Sequence, residues 1–275
     1  MNPQVSHGEL RDVAVEVALI AAELVRTLRG GANVYTGGVE TKSTSTDVVT
    51  EADRAAERLL RTELARRRPD DAILGEEEGG VLPEPGRLCW VLDPIDGTVN
   101  YLYGYPWFGV SVAAQLDGVS VAGAIVEPMT GRVWSAARGE GASLDGMPLA
   151  VSGATRLELS LVATGFAYAA DRRARQAKAV AALLPRVRDI RRAGAASLDL
   201  CAIAAGWVDG YVEHGLNRWD WAAGALIAEE AGAQVRLPAD EDPGDGMSPD
   251  FMFASAPGIA DSLRQAVHET GFREV

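Results

Sequence analysis

One short segment joins an apolar run to two aspartates: Leu88-Cys-Trp-Val-Leu-Asp93-Pro-Ile-Asp96-Gly-Thr98. A short apolar run bounded by turn residues is typical of a buried strand, and residues 88–92 fit that pattern. The strand is expected to end at Asp93, because Pro94 forces the chain out of helical geometry into a turn that contains Asp96. Both carboxylates should therefore lie at the carboxyl edge of a sheet.

Two carboxylates buried at one sheet edge need a compensating charge. Buried like charges raise each other's pKa and are strongly unfavourable unless a cation neutralises them. Oxygen ligands favour Mg²⁺, Mn²⁺ or Ca²⁺ over zinc, and the three histidines, His7, His214 and His268, lack the spacing of a zinc site. The pattern favours a divalent cation, with Mg²⁺ as the first choice.

The residues after Asp96 indicate phosphate chemistry. Gly97-Thr98 opens what reads as a short helix, whose free backbone N–H groups suit a phosphate. Two cations that share a bridging aspartate, about 3.5–4 Å apart, can stabilise both the attacking and the leaving oxygen of an in-line displacement. We therefore expect phosphoryl chemistry at this edge of the sheet.

Three further acidic segments complete the pattern: Lys42-Ser-Thr-Ser-Thr-Asp47-Val-Val-Thr50-Glu-Ala-Asp53, Gly75-Glu76-Glu77-Glu78 and Trp219-Asp220-Trp221-Ala-Ala-Gly224. Each has a plain structural interpretation too. Residues 76–78 could be a solvated charge run, Asp220 a helix N-cap, and Asp53 a first-turn carboxylate favoured by the helix dipole. A lone Asp-Pro or Asp-Gly is likewise more often a turn than a ligand pair. The occurrence of all four segments in one chain favours a functional site.

Length and composition exclude several classes of protein. The chain has 275 residues, of which 47% are hydrophobic and 24% charged, so it is neither disordered nor collagenous. Its net charge of −13 disfavours nonspecific binding to nucleic acid or to an anionic membrane. Cys89 and Cys201 give no disulfide framework, and residues 1–9 show no targeting pattern. We expect a cytoplasmic protein.

Hydrophobic periodicity predicts an α+β fold. Helices are expected at residues 9–28, 50–68, 172–184, 195–205, 221–231 and 258–270, and strands at residues 72–75, 88–92, 131–137, 159–164, 187–191, 211–213 and 251–254. Two apolar stretches between Trp107 and Pro128 flank Asp117-Gly118, which predicts a hairpin and an antiparallel sheet. Without repeats or a long linker, residues 1–275 should form one domain, and any subdomain boundary would fall near Val151.

Three of these motifs closely resemble the signatures of the inositol monophosphatase family, the Mg²⁺-dependent, lithium-sensitive sugar phosphatases. They are Gly75-Glu76-Glu77, Trp90-Val-Leu-Asp93-Pro-Ile-Asp96-Gly-Thr98-Val-Asn100 and Trp219-Asp220-Trp-Ala-Ala-Gly224. The resemblance covers nearly the whole chain and includes Lys42 to Asp53, Gly194-Ala-Ala-Ser197 and Tyr211-Val-Glu213-His-Gly215. It implies the layered α-β-α-β-α sandwich of the inositol monophosphatases and fructose-1,6-bisphosphatases.

The resemblance also implies a set of metal ligands: Glu76, Asp93, the backbone carbonyl of Ile95, Asp96 and Asp220. Asp93 would bridge two Mg²⁺ ions, and Glu76 would hold a weaker third ion through waters, so that two to three ions, replaceable by Mn²⁺, would occupy the site. Thr98 with Asp53 would orient the metal-activated nucleophilic water. The backbone amides of Gly97 and Thr98 would hold the phosphate, and Asp220 would lie near the leaving oxygen.

Substrate selection is implied less sharply. By resemblance, Glu213 would bind ring hydroxyls of inositol and the backbone at Ala196 would contact the substrate, although Glu213 could also be an exposed acid at a strand end. The implied reaction is hydrolysis of myo-inositol monophosphate to inositol and phosphate. Alternatives on the same fold are a histidinol-phosphate, fructose-1,6-bisphosphate, adenosine-bisphosphate or NADP phosphatase, or a regulatory binding protein of the transcription machinery. A homodimer without membrane or direct nucleic-acid partners is expected.

Overall fold

The computed structural model describes residues 6–31, 39–41, 48–239, 244, 246–272 and 275. These residues form seven α-helices: α1 (His7–Gly31), α2 (Glu51–Arg67), α3 (Thr98–Tyr103), α4 (Ala170–Leu183), α5 (Ala196–Ala204), α6 (Arg218–Glu230) and α7 (Ala260–Glu269). Their strands are β1 (Val39–Thr41), β2 (Val48–Thr50), β3 (Ala72–Gly75), β4 (Leu88–Asp96), β5 (Gly109–Leu116), β6 (Val119–Val126), β7 (Val133–Ala137), β8 (Gly141–Leu144), β9 (Met147–Pro148), β10 (Leu161–Thr164), β11 (Asp189–Arg191), β12 (Gly210–His214), β13 (Gln234–Arg236) and β14 (Phe251–Ser255).

The two larger sheets alternate with three helical layers. One sheet has seven strands in the order β3-β4-β5-β6-β7-β8-β9, and the other has five in the order β11-β10-β12-β14-β13. α1 and α2 pack on the outer face of the seven-stranded sheet. α5 and α6 fill the space between the two sheets, and α4 and α7 cover the far face of the second. The predicted α-β-α-β-α layering is therefore confirmed.

Strand β4 shows why its sequence is continuously apolar. Side chains alternate across a strand, so Trp90 and Leu92 pack in the cluster with α1 and α2, while Val91 packs in the cluster with α5 and α6. A strand that is covered on both faces needs apolar residues at every position. The buried strand predicted from residues 88–92 is confirmed.

The end of β4 differs from its predicted boundary. The strand continues through Asp93 to Asp96, with an irregular register between the pairs Asp93–Ser111 and Asp96–Gly109. Pro94 lies within this irregular stretch, and a bulge is where a strand tolerates a residue that lacks an N–H group. The two aspartates therefore lie at the two ends of a bulge rather than in a turn outside the sheet.

The predicted hairpin is confirmed. β5 and β6 pair antiparallel across Asp117-Gly118, whose φ angles of 53° and 80° suit a tight two-residue turn. β1, β2, β8, β9 and β13 were not predicted, because strands of two to four residues are too short to show an alternation. The antiparallel sheet predicted around this hairpin is present, and β3 adds one parallel strand beside β4.

Residues near Val151 do not separate the two sheets cleanly. The Val151 amide donates to the Ala231 carbonyl at 3.1 Å, and α5 and α6 contribute to a core that both sheets share. The single domain over residues 1–275 stays a prediction. None of the helices in the described part of the chain combines the length and apolarity that crossing a membrane requires.

Candidate active site

A cavity of about 410 Å³ opens where the carboxyl ends of β4, β10 and β12 meet the first residues of α3, α5 and α6. It brings together nearly all of the residues that the sequence predicts for the site: Glu76, Asp93, Ile95, Asp96, Gly97, Thr98, Ala196, Glu213 and Asp220. Asp53 lies directly behind the wall, where its Oδ1 is 3.0 Å from the Thr98 hydroxyl. Four segments that are distant in sequence thus converge, while Lys42 and Asp47 of the first segment lie outside the described residues.

Asp93 is the most deeply placed carboxylate of the cavity. Its side chain is buried, and its Oδ1 accepts a hydrogen bond from the Ile95 amide at 3.0 Å. Burial raises the pKa of Asp93 well above its usual value, and the negative charges of Glu76, Asp96 and Asp220 raise it further. These groups act on one another electrostatically, as expected for ligands of a shared cation.

Asp96 is bound to the N-terminus of α5. Its carboxylate accepts hydrogen bonds from the Ala196 amide at 3.2 Å, the Ser197 amide at 2.7 Å and the Ser197 hydroxyl at 2.5 Å. Burial raises the pKa of Asp96, and these hydrogen bonds partly offset the rise. Ser197 was not assigned a role from the sequence, although it stands in the quoted Gly194-Ala-Ala-Ser197 motif.

Asp53 both caps the N-terminus of α2 and contacts the hydroxyl of Thr98. In the capping box of α2, its Oδ2 accepts from the Thr50 amide at 2.8 Å and from the Thr50 hydroxyl at 2.5 Å. The Thr98 hydroxyl lies within hydrogen-bond distance of both Asp53 Oδ1 and the Ile95 carbonyl, at 3.0 and 3.1 Å. Burial raises the pKa of Asp53 to about 6, against the lowering effect of the Thr50 hydrogen bonds. Asp53 can therefore be a first-turn carboxylate of α2 and also orient the nucleophilic water together with Thr98.

Asp220 belongs to the first turn of α6 but is not its N-cap. Asn217 is the N-cap, and Asp220 closes the capping box by accepting a hydrogen bond from the Asn217 amide at 2.6 Å. Asp220 is partly exposed, and it faces the cavity. The dense protein around it still raises its pKa well above the usual value, and the charges of Glu76 and Asp96 add to the rise.

Glu213 forms part of the cavity wall that the second sheet provides. Its Oε2 accepts a hydrogen bond from the Tyr211 hydroxyl at 2.6 Å, and its partly exposed carboxylate lies over Gly165. A Cβ at Gly165 would overlap that carboxylate. Burial raises the pKa of Glu213 to about 7, although the Tyr211 hydrogen bond and the Arg192 charge lower it. The sequence did not single out Gly165, since a lone glycine after a strand carries no specific signal.

The donor set of the cavity suits a hard divalent cation. Among the described positions, no three His, Cys, Asp or Glu side chains converge closely enough to hold a metal ion. Asp96 instead accepts hydrogen bonds from the N-terminus of α5, and Asp220 accepts one from the Asn217 amide. The carboxylates of Glu76, Asp93, Asp96 and Asp220 nevertheless surround one cavity, and the negative charges of Glu76 and Asp96 raise the pKa of both Asp93 and Asp220. A bound cation relieves that repulsion, so the residues fit such an ion in chemistry and in location.

Known proteins resemble this chain over most of its length. The sequence profile of the inositol monophosphatase family matches residues 7–271. The chain is 50% identical over 273 residues to an inositol-1-monophosphatase of Mycobacterium leprae, covering 94% of this chain and 93% of that protein. It is 43% identical over 195 residues to a protein named Nus factor SuhB of Pseudomonas aeruginosa, covering 69% of this chain and 72% of that one.

A solved structure supports the same relationship. The structure titled Mycobacterium tuberculosis SuhB superimposes with a TM-score of 0.83 at 42% sequence identity, covering 98% of this chain and 100% of that one. The match therefore extends over nearly the whole chain. On the family profile and on these identities, the chain belongs to the inositol monophosphatase family, whose members are metal-dependent phosphatases that act on small phosphorylated substrates.

Proposed function

We propose that this phosphatase hydrolyses myo-inositol monophosphate to inositol and phosphate and that it depends on Mg²⁺. The observation that carries the proposal is the convergence of four carboxylates and the Asp53–Thr98 pair on one cavity, with Glu213 in the wall contributed by the second sheet. The names of the mycobacterial relatives favour inositol phosphate over other phosphate esters.

The metal would be held by a group of ligands on two sides of the cavity: Glu76, Asp93, the Ile95 carbonyl, Asp96 and Asp220. When bound, two to three Mg²⁺ ions, or Mn²⁺ in their place, would supply Lewis-acid stabilisation of the negative charge that develops on the phosphoryl and leaving oxygens. Each ligand belongs to a strand or helix or directly follows one, which limits the backbone rearrangement that metal binding would require, although the side chains of Asp96 and Asp220 would exchange hydrogen bonds for the metal.

Two further groups would orient the reactants. The Thr98 hydroxyl, held beside Asp53 at 3.0 Å, is placed to align an attacking water with the phosphorus atom. Gly97 and Thr98 line the cavity, and their amides would donate to the phosphate oxygens. Gly97 has φ of 93°, which favours glycine, and a Cβ there would press on the Gly194 and Trp107 carbonyl oxygens at 3.2 Å.

Glu213 would select for a hydroxylated ring. Its Oε2 is occupied by Tyr211, whereas the side chain faces the cavity and can accept further hydrogen bonds from substrate hydroxyls. A site built to pair with hydroxyl groups discriminates against analogues that lack them.

We expect Glu213→Ala to raise KM for inositol 1-phosphate at least about tenfold more than KM for an aryl phosphate, which corresponds to roughly 1.4 kcal/mol of differential binding. Steady-state phosphate release with both substrates measures this ratio. Tyr211→Phe is the matched control, because it removes the partner hydroxyl and keeps the carboxylate. Equal effects of Glu213→Ala on both substrates would exclude hydroxyl recognition by this residue.

The experiment that tests the proposed function is phosphate release with Mg²⁺ and with EDTA across a panel of substrates. The panel contains inositol 1-phosphate, histidinol phosphate, fructose 1,6-bisphosphate, adenosine 3′,5′-bisphosphate and NADP. A Mg²⁺-dependent preference of at least about tenfold for inositol phosphate is expected. A preference for another ester would reassign the substrate within the family.

A second candidate function is supported by the names of three relatives. The Pseudomonas aeruginosa protein is named a Nus factor, which suggests a role in the transcription machinery for this chain as well. Affinity capture with wild type and with Asp93→Asn would separate such a role from catalysis, because a scaffold would retain its partners without turnover. Three further properties stay predictions: a homodimer, lithium sensitivity and a cytoplasmic location. Light scattering would test the homodimer.

A further inference from the structure

The turn that carries Glu76 is supported from below by one buried carboxylate. Glu57 of α2 is fully buried, and its Oε2 accepts a hydrogen bond from the Glu77 amide at 2.7 Å. Its Oε1 accepts from the Glu78 amide at 3.0 Å. The two backbone N–H groups that follow Glu76 therefore both point at the same side chain.

Arg61 completes this support one helical turn later. Its Nε donates to Glu57 Oε1 at 2.9 Å, which makes an i,i+4 pair on α2. The same guanidinium donates to the Gly79 carbonyl and lies 3.4 Å from Glu78 Oε2. Glu57 and Arg61 thus bind the turn from Glu77 to Gly79. The positive charge of the Arg61 guanidinium also compensates the negative charge of the buried Glu57 carboxylate.

Gly75 provides the space that Glu57 needs. A Cβ at Gly75 would overlap the Glu57 carboxylate and would lie 2.8 Å from the Arg61 guanidinium. The Gly75 amide also donates to the Gly79 carbonyl at 3.0 Å, so the turn closes directly above the carboxylate. The glycine in Gly75-Glu76-Glu77 is therefore explained by the approach of a side chain from α2.

We infer that Glu57, together with Arg61, is a positioning residue that fixes the direction of Glu76 toward Asp93. The inference rests on the proposed function, in which Glu76 binds the metal. On its other side the Glu76 amide donates to the Leu92 carbonyl at 3.2 Å, so the residue is held between β4 and the Glu57 carboxylate. A backbone fixed on both sides leaves the Glu76 side chain few directions, and outer partners of this kind typically change metal affinity by about 10–100-fold.

The test is Glu57→Gln, which keeps the shape of the side chain but replaces one acceptor oxygen by a donor that faces an amide N–H. We expect Mg²⁺ affinity, measured by titration calorimetry without substrate, to fall at least about tenfold. The Mg²⁺ concentration for half-maximal phosphate release should rise by the same factor, while kcat at saturating Mg²⁺ stays within about threefold of wild type. A general loss of packing would instead lower kcat at every Mg²⁺ concentration.

Glu63→Gln is the matched control, because Glu63 pairs with Arg66 and Arg67 on the same helix without touching the turn. It should leave Mg²⁺ affinity unchanged.

If Glu57→Gln does not fold, as judged by circular dichroism, Gly75→Ala takes its place. This substitution displaces the Glu57 carboxylate and keeps every charge, and it should also weaken Mg²⁺ binding at least about tenfold. Wild-type affinity in a folded variant would overturn the inference alone, whereas a wild-type protein that binds no Mg²⁺ would overturn the proposed function and the inference with it.

Discussion

Asp93→Asn is expected to lower kcat by about 1,000-fold or more, which corresponds to roughly 4 kcal/mol of lost transition-state stabilisation. Asp93 is buried, the charges of Glu76, Asp96 and Asp220 act on it, and in the proposed function it would hold the metal. The amide has one acceptor oxygen and no charge, so it cannot replace a carboxylate in that role. Phosphate release at saturating Mg²⁺ and inositol 1-phosphate measures the effect.

The same variant should keep its fold. Burial and neighbouring charges raise the pKa of Asp93, so the folded state holds its proton more tightly than the unfolded state does. Ionisation of this group therefore costs stability as the pH rises, and the neutral amide removes that cost. In EDTA at pH 7 and above, thermal unfolding of Asp93→Asn should occur at or above the wild-type temperature. Asp261→Asn, at a fully exposed position of α7, is the control. Near-normal turnover of Asp93→Asn would refute the proposal that Asp93 holds the metal.

Thr98→Val should lower kcat by about 100-fold or more with little change in KM. Valine keeps the β-branched shape of this buried side chain and removes the hydroxyl that lies 3.0 Å from Asp53. Loss of one positioned group in proton transfer or water orientation typically costs about 10²–10⁴-fold. Steady-state kinetics on inositol 1-phosphate measures both constants.

Thr98→Ser is the matched control, because it restores the hydroxyl at the same Cβ. Turnover by the serine variant should lie much closer to wild type than turnover by the valine variant. A loss in the serine variant as large as that in the valine variant would mean that the hydroxyl alone does not suffice and that the site requires the methyl group as well. Wild-type turnover by the valine variant would contradict the role of the hydroxyl.

The sequence was most informative where one segment contains both the strand and the acids. Residues 88–98 predicted the buried strand, the position of Asp93 and Asp96 at its end, and the short helix that opens at Thr98, and all three are present in the structure. The prediction of the turn was wrong only in its boundary, because a bulge that contains a proline reads like a turn along one strand. A bulge is distinguished from a turn by the pairing of β4 with β5, which the sequence of β4 alone does not reveal.

The supporting residues of the site could not be predicted in the same way. Glu57 and Ser197 act through backbone and carboxylate groups that lie 20 and more residues away, and no local pattern encodes such contacts. A weak signal was available for Glu57, since it follows Asp53 by four residues on a helix face that also contains Ala56 and Leu60. An acid among buried residues of a helix needs a partner, and the structure supplies it from the turn after β3.

The two sheets contribute different parts of the site. Glu76, Asp93 and Asp96 follow or belong to strands of the seven-stranded sheet, whereas Glu213 lies on β12 of the five-stranded sheet. If Glu213 selects the substrate as proposed, substitutions along β12 and around Gly165 would alter which alcohol fits without changing the residues that would hold the metal. Related proteins could then acquire new substrates through changes in the second sheet alone, while the residues for hydrolysis on the first sheet stay the same.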